Sequence, residues 1–173
     1  MKTSPCTEGC RVALFPGSFD PFTRGHESIV RRALPLFDEI VIAVGVNAGK
    51  RTFMTMDQRR AWIESVFRNE PRVRVITYEG LTIDVARQIH ATCILRGVRM
   101  IQDFEDEMHM AEVNRQLSGI ETVLLYTLPQ DSHISSSIVR ELAKYGQDLT
   151  PYLPQGADFS LIPCRQTDSS KQH

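Results

Sequence analysis

Short apolar runs rich in β-branched residues alternate along this chain with stretches whose apolar residues recur at helical spacing, and this alternation restricts the fold more than any other feature. The runs are RVALF (11–15), EIVIAVGV (39–46), RVRVITY (72–78), TCIL (92–95) and ETVLLYT (121–127). Residues 25–36, 56–68, 82–90, 103–117 and 135–145 carry the helical pattern, for example through Ile29, Val30, Ala33, Leu34 and Phe37. A strand apolar at nearly every position needs cover on both faces, and a helix between consecutive strands supplies the right-handed crossover that joins parallel neighbours. Punctuation agrees with this reading. Thr55 with Gln58 three residues on forms a capping-box pattern, Ser135, Ser136 and Ser137 offer a hydroxyl N-cap, and Gly146 follows the last periodic residue of its helix.

The expected fold is therefore α/β, a Rossmann-like doubly wound five-stranded parallel sheet with helices on both faces. In such sheets ligands lie beyond the carboxyl ends of the strands where the strand order reverses, so the loops that follow strands carry the function. With 173 residues, 42% of them hydrophobic, the chain has the material for one continuous core. It divides into an extension (1–10), a domain (11–154) and a polar, Pro-interrupted tail (155–173). Lys and Arg number 20 against 21 Asp and Glu, a net charge of -1 that argues against a general nucleic-acid or anionic-membrane binder. Any site for a polyanion must be local. MKTSPCTEGC lacks an apolar signal core and no run of eighteen apolar residues occurs, so a cytoplasmic protein is expected. Cys6, Cys10, Cys93 and Cys164 are too scattered for a disulfide framework and are expected as thiols, with Cys93 in the core. Cys6 and Cys10 have no second Cys or His pair at ligand spacing, which leaves a metal site unsupported.

The first loop, PGSFDPFTRGHESIV, stands between a strand and a helix. Gly17 and Gly25 let the backbone approach a ligand, Ser18 brings a hydroxyl, and His26 opens the helix. A helix start offers unsatisfied N–H groups and a partial positive charge, which suits a phosphate before any side chain contributes. The segment matches neither GxGxxG nor GxxxxGK[ST], so a dinucleotide-binding domain and a P-loop kinase lose their main support.

GSFDPFTRGH resembles the first loop of the cytidylyltransferase-like nucleotidyltransferase superfamily, in which [HT]xGH begins the helix, here as residues 23–26. VNAGKRTFMT (46–55), ILRGVRMIQDFEDE (94–107) and ISSSIVREL (134–142) follow in order, each at a strand exit. Together the four segments resemble the phosphopantetheine adenylyltransferase family from about residue 11 to 154, with RGVR and DFEDE the more discriminating parts. The resemblance implies that ATP and 4'-phosphopantetheine give 3'-dephospho-coenzyme A and pyrophosphate by in-line attack at the α-phosphorus. It implies that His26, Lys50 and Arg96 are catalytic and that Ser18, Lys50, Thr82 and Arg96 bind the acceptor. On the ATP side it implies Ser18, Phe19, His26, Gly97, Val98, Arg99, Glu107, Asp131, Ser132, His133, Ile134, Ser135, Ser136 and Ser137. Mg²⁺ would travel with the triphosphate, the assembly would be a homohexamer, and coenzyme A would act as feedback inhibitor.

Each residue also has a plainer reading. Lys50 can be an exposed loop lysine, Arg96 and Arg99 can be tied to Glu105 or Glu107 in structural ion pairs, and residues 135–137 can be no more than a cap. His90, His109, His133 and His173 have no spacing that suggests a metal or triad, and the apolar positions at 104, 108 and 110 suit packing or a subunit contact. Where the family has an aromatic, Ser and an aromatic ahead of ISSS, this chain has Asp131, Ser132 and His133. A nicotinate-mononucleotide adenylyltransferase, a glycerol-phosphate cytidylyltransferase and a catalytically silent nucleotide-binding protein are the competing readings.

Overall fold

The computed structural model describes residues 9–45 and 52–163. Its order is β1 (Val12–Gly17), α1 (Arg24–Ala33), β2 (Glu39–Gly45), α2 (Met56–Val66), β3 (Val73–Tyr78), α3 (Thr82–Gln88), β4 (Cys93–Val98), α4 (Ile101–Ser118), β5 (Glu121–Tyr126) and α5 (Ser136–Lys144), with short 3₁₀ turns at Pro129–Asp131, Thr150–Tyr152 and Phe159–Leu161. All five strands are parallel in the order β3-β2-β1-β4-β5. The expected fold class is the one observed.

Alternate side chains of β1 divide the core. Ala13 and Phe15 face α1, α2 and α5, where Ile29, Val30, Trp62, Ile63 and Val139 are buried with them. Val12 and Leu14 face the other way, against Val85 and Ala86 of α3. The chain moves outward from β1 through β2 to β3 under helices on one face. It then returns to the centre and moves outward through β4 to β5 under helices on the other, so the order reverses between β1 and β4.

The Thr55–Gln58 capping box is formed, with Gln58 N donating to Thr55 Oγ1 at 3.2 Å and Thr55 N to Gln58 Oε1 at 2.8 Å. Ser135 Oγ caps α5 by accepting from Ile138 N at 3.2 Å, and Gly146 takes a φ of 67° beyond its end. Several boundaries shift by one to three residues, and the one at the end of β4 bears on the site. TCIL continues as strand through Val98, because Arg96, Gly97 and Val98 pair with Leu124, Leu125 and Tyr126. Arg96 and Gly97 thus sit on the sheet instead of in a loop.

The 18 residues of α4 lie along β4, β5 and α3, yet none is buried. Phe104, Met108 and Met110 are exposed, together with Ile101, Val113 and Leu117, so packing within the chain does not account for them. Residues 155–163, in the polar tail, pack on α2. Phe159 meets Trp62 edge-on at 5.7 Å, Asp158 N donates to Ser65 Oγ at 3.2 Å, and Ala157 and Ile162 join the core. Cys93 is a free, buried thiol as expected. Cys10 is disulfide-bonded, against the expectation of a thiol, because scatter along the chain says nothing about which sulfurs meet in space. No helix of the described residues is long and apolar enough to cross a membrane.

Candidate active site

Where β1 ends, the loop that follows is shaped by aromatic packing. Phe19 has φ 47°, and its ring is buried against Phe15 and Phe22, with centroids 5.2 and 5.3 Å away. A Cβ on Gly17 would stand 2.7 Å from Phe19 Cζ, so the glycine makes room for that ring as well as for a ligand. His26 completes the cluster, its ring 5.2 Å from Phe19 and 5.3 Å from Phe22.

His26 is the third residue of α1, and Thr23 is its N-cap. The imidazole Nδ1 accepts from Thr23 N at 3.0 Å and lies 3.0 Å from Thr23 Oγ1, so a capping box is built with histidine in place of the usual Glu or Gln. Because Nδ1 accepts a backbone N–H, the ring proton is assigned to Nε2. Burial, and then the neighbouring Arg99 and Arg96, lower its pKa to about 3. A neutral imidazole with a fixed tautomer therefore lines the site, a directed hydrogen-bond donor that does not titrate near neutrality.

The rest of the loop is held from two sides. Asp20, buried, accepts from Phe53 N and Met54 N, each at 2.7 Å, which ties the start of the 52–55 segment to the loop. Arg59 of α2, also buried, donates to Ser18 O at 2.7 Å and Gly45 O at 3.5 Å, while its Nε lacks a hydrogen-bond partner among the described residues. From α5, Ser136 Oγ donates to Pro21 O at 2.8 Å, and Arg140 donates to Asp20 O at 2.8 Å and to Ser137 Oγ at 3.0 Å.

Two clefts open over the point where β1 and β4 diverge. The first, about 410 Å³, is lined by Ser18, Phe19, His26, Arg96, Gly97, Arg99, Glu107, Ile134, Ser135, Ser136 and Ser137, with Arg140 added. The second, about 470 Å³, is lined by Ser18, Gly45, Tyr78, Thr82, Arg96 and Glu107 among others, and Thr82 Oγ1 lies 3.0 Å from Tyr78 Oη. They share Pro16, Gly17, Ser18, Arg96, Asp106 and Glu107. Two ligands can thus meet at one wall.

The shared wall carries opposite charges. Arg96 donates through Nε to Glu107 Oε2 at 2.7 Å, through a second nitrogen to Glu107 Oε1, and to Pro16 O at 2.6 Å. Arg99 pairs with Asp103, Nε to Oδ2 3.0 Å, and not with Glu105 or Glu107. The ion-pair reading holds for Arg96 with Glu107, Arg99 takes a different carboxylate, and both arginines line the first cleft. Four residues of the expected ATP side line neither cleft. Val98 is buried and its carbonyl accepts from Thr127 N at 2.8 Å. Asp131 turns to Arg24, Nε to Oδ1 2.9 Å, Ser132 Oγ donates to Pro129 O at 2.8 Å, and His133 lies exposed, edge-on to Tyr152. Lys50 lies outside the described residues.

Asp20, Arg59 and Arg140 were not singled out by the sequence. Asp20 and Arg140 lie inside segments that carried the resemblance, whereas Arg59 reads as one more polar residue on the outer face of a helix.

Residues 14–142 match the model of the cytidylyltransferase-like family. A phosphopantetheine adenylyltransferase of Phocaeicola vulgatus is 52% identical over 146 residues, 84% of this chain and 97% of that protein. One from Flavobacterium johnsoniae is 54% identical over 144 residues, 83% and 95% of the two chains. Among solved structures, the bifunctional NMN adenylyltransferase/ADP ribose pyrophosphatase from Francisella tularensis superposes with a TM-score of 0.66 at 16% identity, covering 85% of this chain and 46% of that one, a likeness of fold. The continuous match across both clefts at about half identity places this chain in the cytidylyltransferase-like family and, within it, among the phosphopantetheine adenylyltransferases.

Proposed function

We propose that the chain transfers the adenylyl group of ATP to 4'-phosphopantetheine, giving 3'-dephospho-coenzyme A and pyrophosphate. The observation that carries this reading is the pair of clefts meeting at Pro16, Gly17, Ser18 and Arg96, with His26 lining only the first. An oxygen of the acceptor phosphate forms the new bond to the α-phosphorus as the bond to the β-bridging oxygen breaks. The nucleophile is already an anion near neutral pH, so no general base is needed, and the work is positioning and charge stabilisation.

In this reading ATP occupies the first cleft, and the Nε2–H of His26 donates to the α-phosphate as charge accumulates there. Ser18, Arg96 and Lys50 hold the acceptor phosphate, and Thr82 lies along the pantetheine arm. Gly45 lines the second cleft and is followed by residues 46–51, which is consistent with this place for Lys50. Ile134, Ser135, Ser136 and Ser137 face the nucleotide, and Asp131, Ser132 and His133 support that wall from behind. Among the described residues no group of three or more His, Cys, Asp or Glu is placed to hold a metal. Mg²⁺ would therefore arrive on the triphosphate as part of the substrate, neutralising the departing pyrophosphate. The exposed apolar residues of α4 fit the homo-oligomer the resemblance implies, and coenzyme A inhibition and a cytoplasmic location belong to the same reading.

Purified protein with Mg-ATP and 4'-phosphopantetheine should release pyrophosphate. Turnover with a mononucleotide or with CTP, and none with this acceptor, would overturn the assignment.

A further inference from the structure

Four carbonyls of the loop after β1 are held by side chains from other elements: Ser18 O by Arg59, Asp20 O by Arg140, Pro21 O by Ser136, and Phe22 O by Trp62, whose Nε1–H donates at 2.8 Å. The last of these differs in what lies at the other end of the peptide. Phe22 O and Thr23 N belong to one planar unit, and Thr23 N is the donor that His26 Nδ1 accepts at 3.0 Å. A line of hydrogen bonds therefore runs from the Trp62 indole through that peptide to the imidazole. Planarity transmits the direction set at the carbonyl to the N–H, and a donor on the carbonyl polarises the amide so that its N–H donates more strongly.

The helix cannot supply this control. Thr23 is the N-cap of α1, and its N–H lies outside the hydrogen-bond ladder of the helix, so what aims it is whatever fixes the peptide. Trp62 is suited to that task, because its side chain is fully buried and Phe159 meets the ring edge-on at 5.7 Å, which leaves the indole no room to swing away. Phe159 lies beyond residues 14–142, the part of the chain that matches the family model. We propose that Trp62 is a positioning residue of the reaction, fixing the peptide between Phe22 and Thr23 and thereby keeping His26 in the tautomer that presents Nε2–H to the first cleft. Its consequence for turnover rests on the adenylyl-transfer reading.

Trp62→Phe keeps an aromatic ring and removes the donor. In the full chain, well below the unfolding midpoint of either protein, kcat should fall about tenfold, the worth of one hydrogen bond felt at the reacting group, while KM for ATP and for 4'-phosphopantetheine stays within about twofold. The nitrogen NMR signals of the His26 ring should change from the single Nε2–H tautomer to an average of the two. Unchanged kcat in a less stable variant would leave the ring to Thr23 Oγ1, 3.0 Å from Nδ1, and Trp62 to the core. That outcome, a parallel rise in both KM values at constant kcat, or a fall in kcat with an unchanged ring spectrum overturns the proposal. Should Trp62→Phe fail to fold, Trp62 is the single tryptophan of the chain, so protein made with benzothienylalanine in its place, sulfur standing where the N–H was, decides by the same measurements. The ring spectrum does not depend on turnover. A wild-type protein inactive with this acceptor would thus defeat the adenylyl-transfer reading, while the spectrum still decides what Trp62 does to His26.

Discussion

If His26 is held neutral with Nδ1 accepting from Thr23 N, folding must become less favourable as the solution acidifies. Proton linkage sets the sign. In the unfolded chain the imidazole takes up a proton below its ordinary pKa of 6.5, whereas in the folded protein it stays neutral down to about 3. Stability is then fully present above pH 6.5 and is lost as pH falls through the window between those values. At about 1.4 kcal/mol per pH unit, the step from pH 7.5 to 5.0 removes about 2 kcal/mol, because only the roughly 1.5 units below the unfolded pKa count. A folded pKa one unit higher would leave this figure unchanged, since pH 5.0 still lies above it. The measurement is urea unfolding of wild type and His26→Gln at both pH values, subtracting the variant's pH dependence so that the other titrating groups cancel. Wild type should lose about 2 kcal/mol more than the variant. An equal loss in both proteins, or an NMR titration of the His26 ring with a midpoint near its ordinary value, would refute the neutral, buried assignment.

His26→Ala should lower kcat on the order of a hundredfold or more with ATP binding largely kept, as for a donor that acts mainly in the transition state; unchanged turnover would remove it from the mechanism. Asp20→Ala strips the acceptor from the buried N–H of Met54 and the part-buried N–H of Phe53 and should cost about 2–4 kcal/mol of unfolding free energy, with Asp20→Asn recovering part of it. Gly17→Ala forces a Cβ to within 2.7 Å of the Phe19 ring, so it should cost about 1–3 kcal/mol and reduce turnover through displacement of the His26 cluster; a variant with wild-type stability and rate would show that Phe19 can move freely.

Much of this protein is written locally. Near-continuous apolar strands such as residues 39–46, with helical spacing between them, dictate a parallel sheet, because backbone periodicity and two-sided burial are properties of short segments. The first loop is legible for the same reason. Gly17, Thr23, Gly25 and His26 are neighbours in sequence, and the capping box that fixes the His26 ring is a contact across three residues. Contacts between distant segments left no such trace. Arg59 meets Ser18 from 41 residues away, and Arg140 meets Asp20 across 120. The sequence offered Glu105 or Glu107 as partners of Arg96 and Arg99, but only the assembled sheet decided that Arg96 takes Glu107, that Arg99 takes Asp103 and that Arg140 meets no carboxylate among the described residues. Asp131, Ser132 and His133 likewise adjoin the cleft-lining serines in sequence, yet their side chains turn to Arg24, Pro129 and Tyr152. Sequence alone determined the layers of the fold, the loop after β1 and the local cap that orients its histidine, while burial and the distant Arg99 and Arg96 set the charge state of that ring. Tertiary structure decided which cations remain unneutralised and which residues reach the shared wall, because burial and charge compensation are set by elements that meet only when the sheet is assembled.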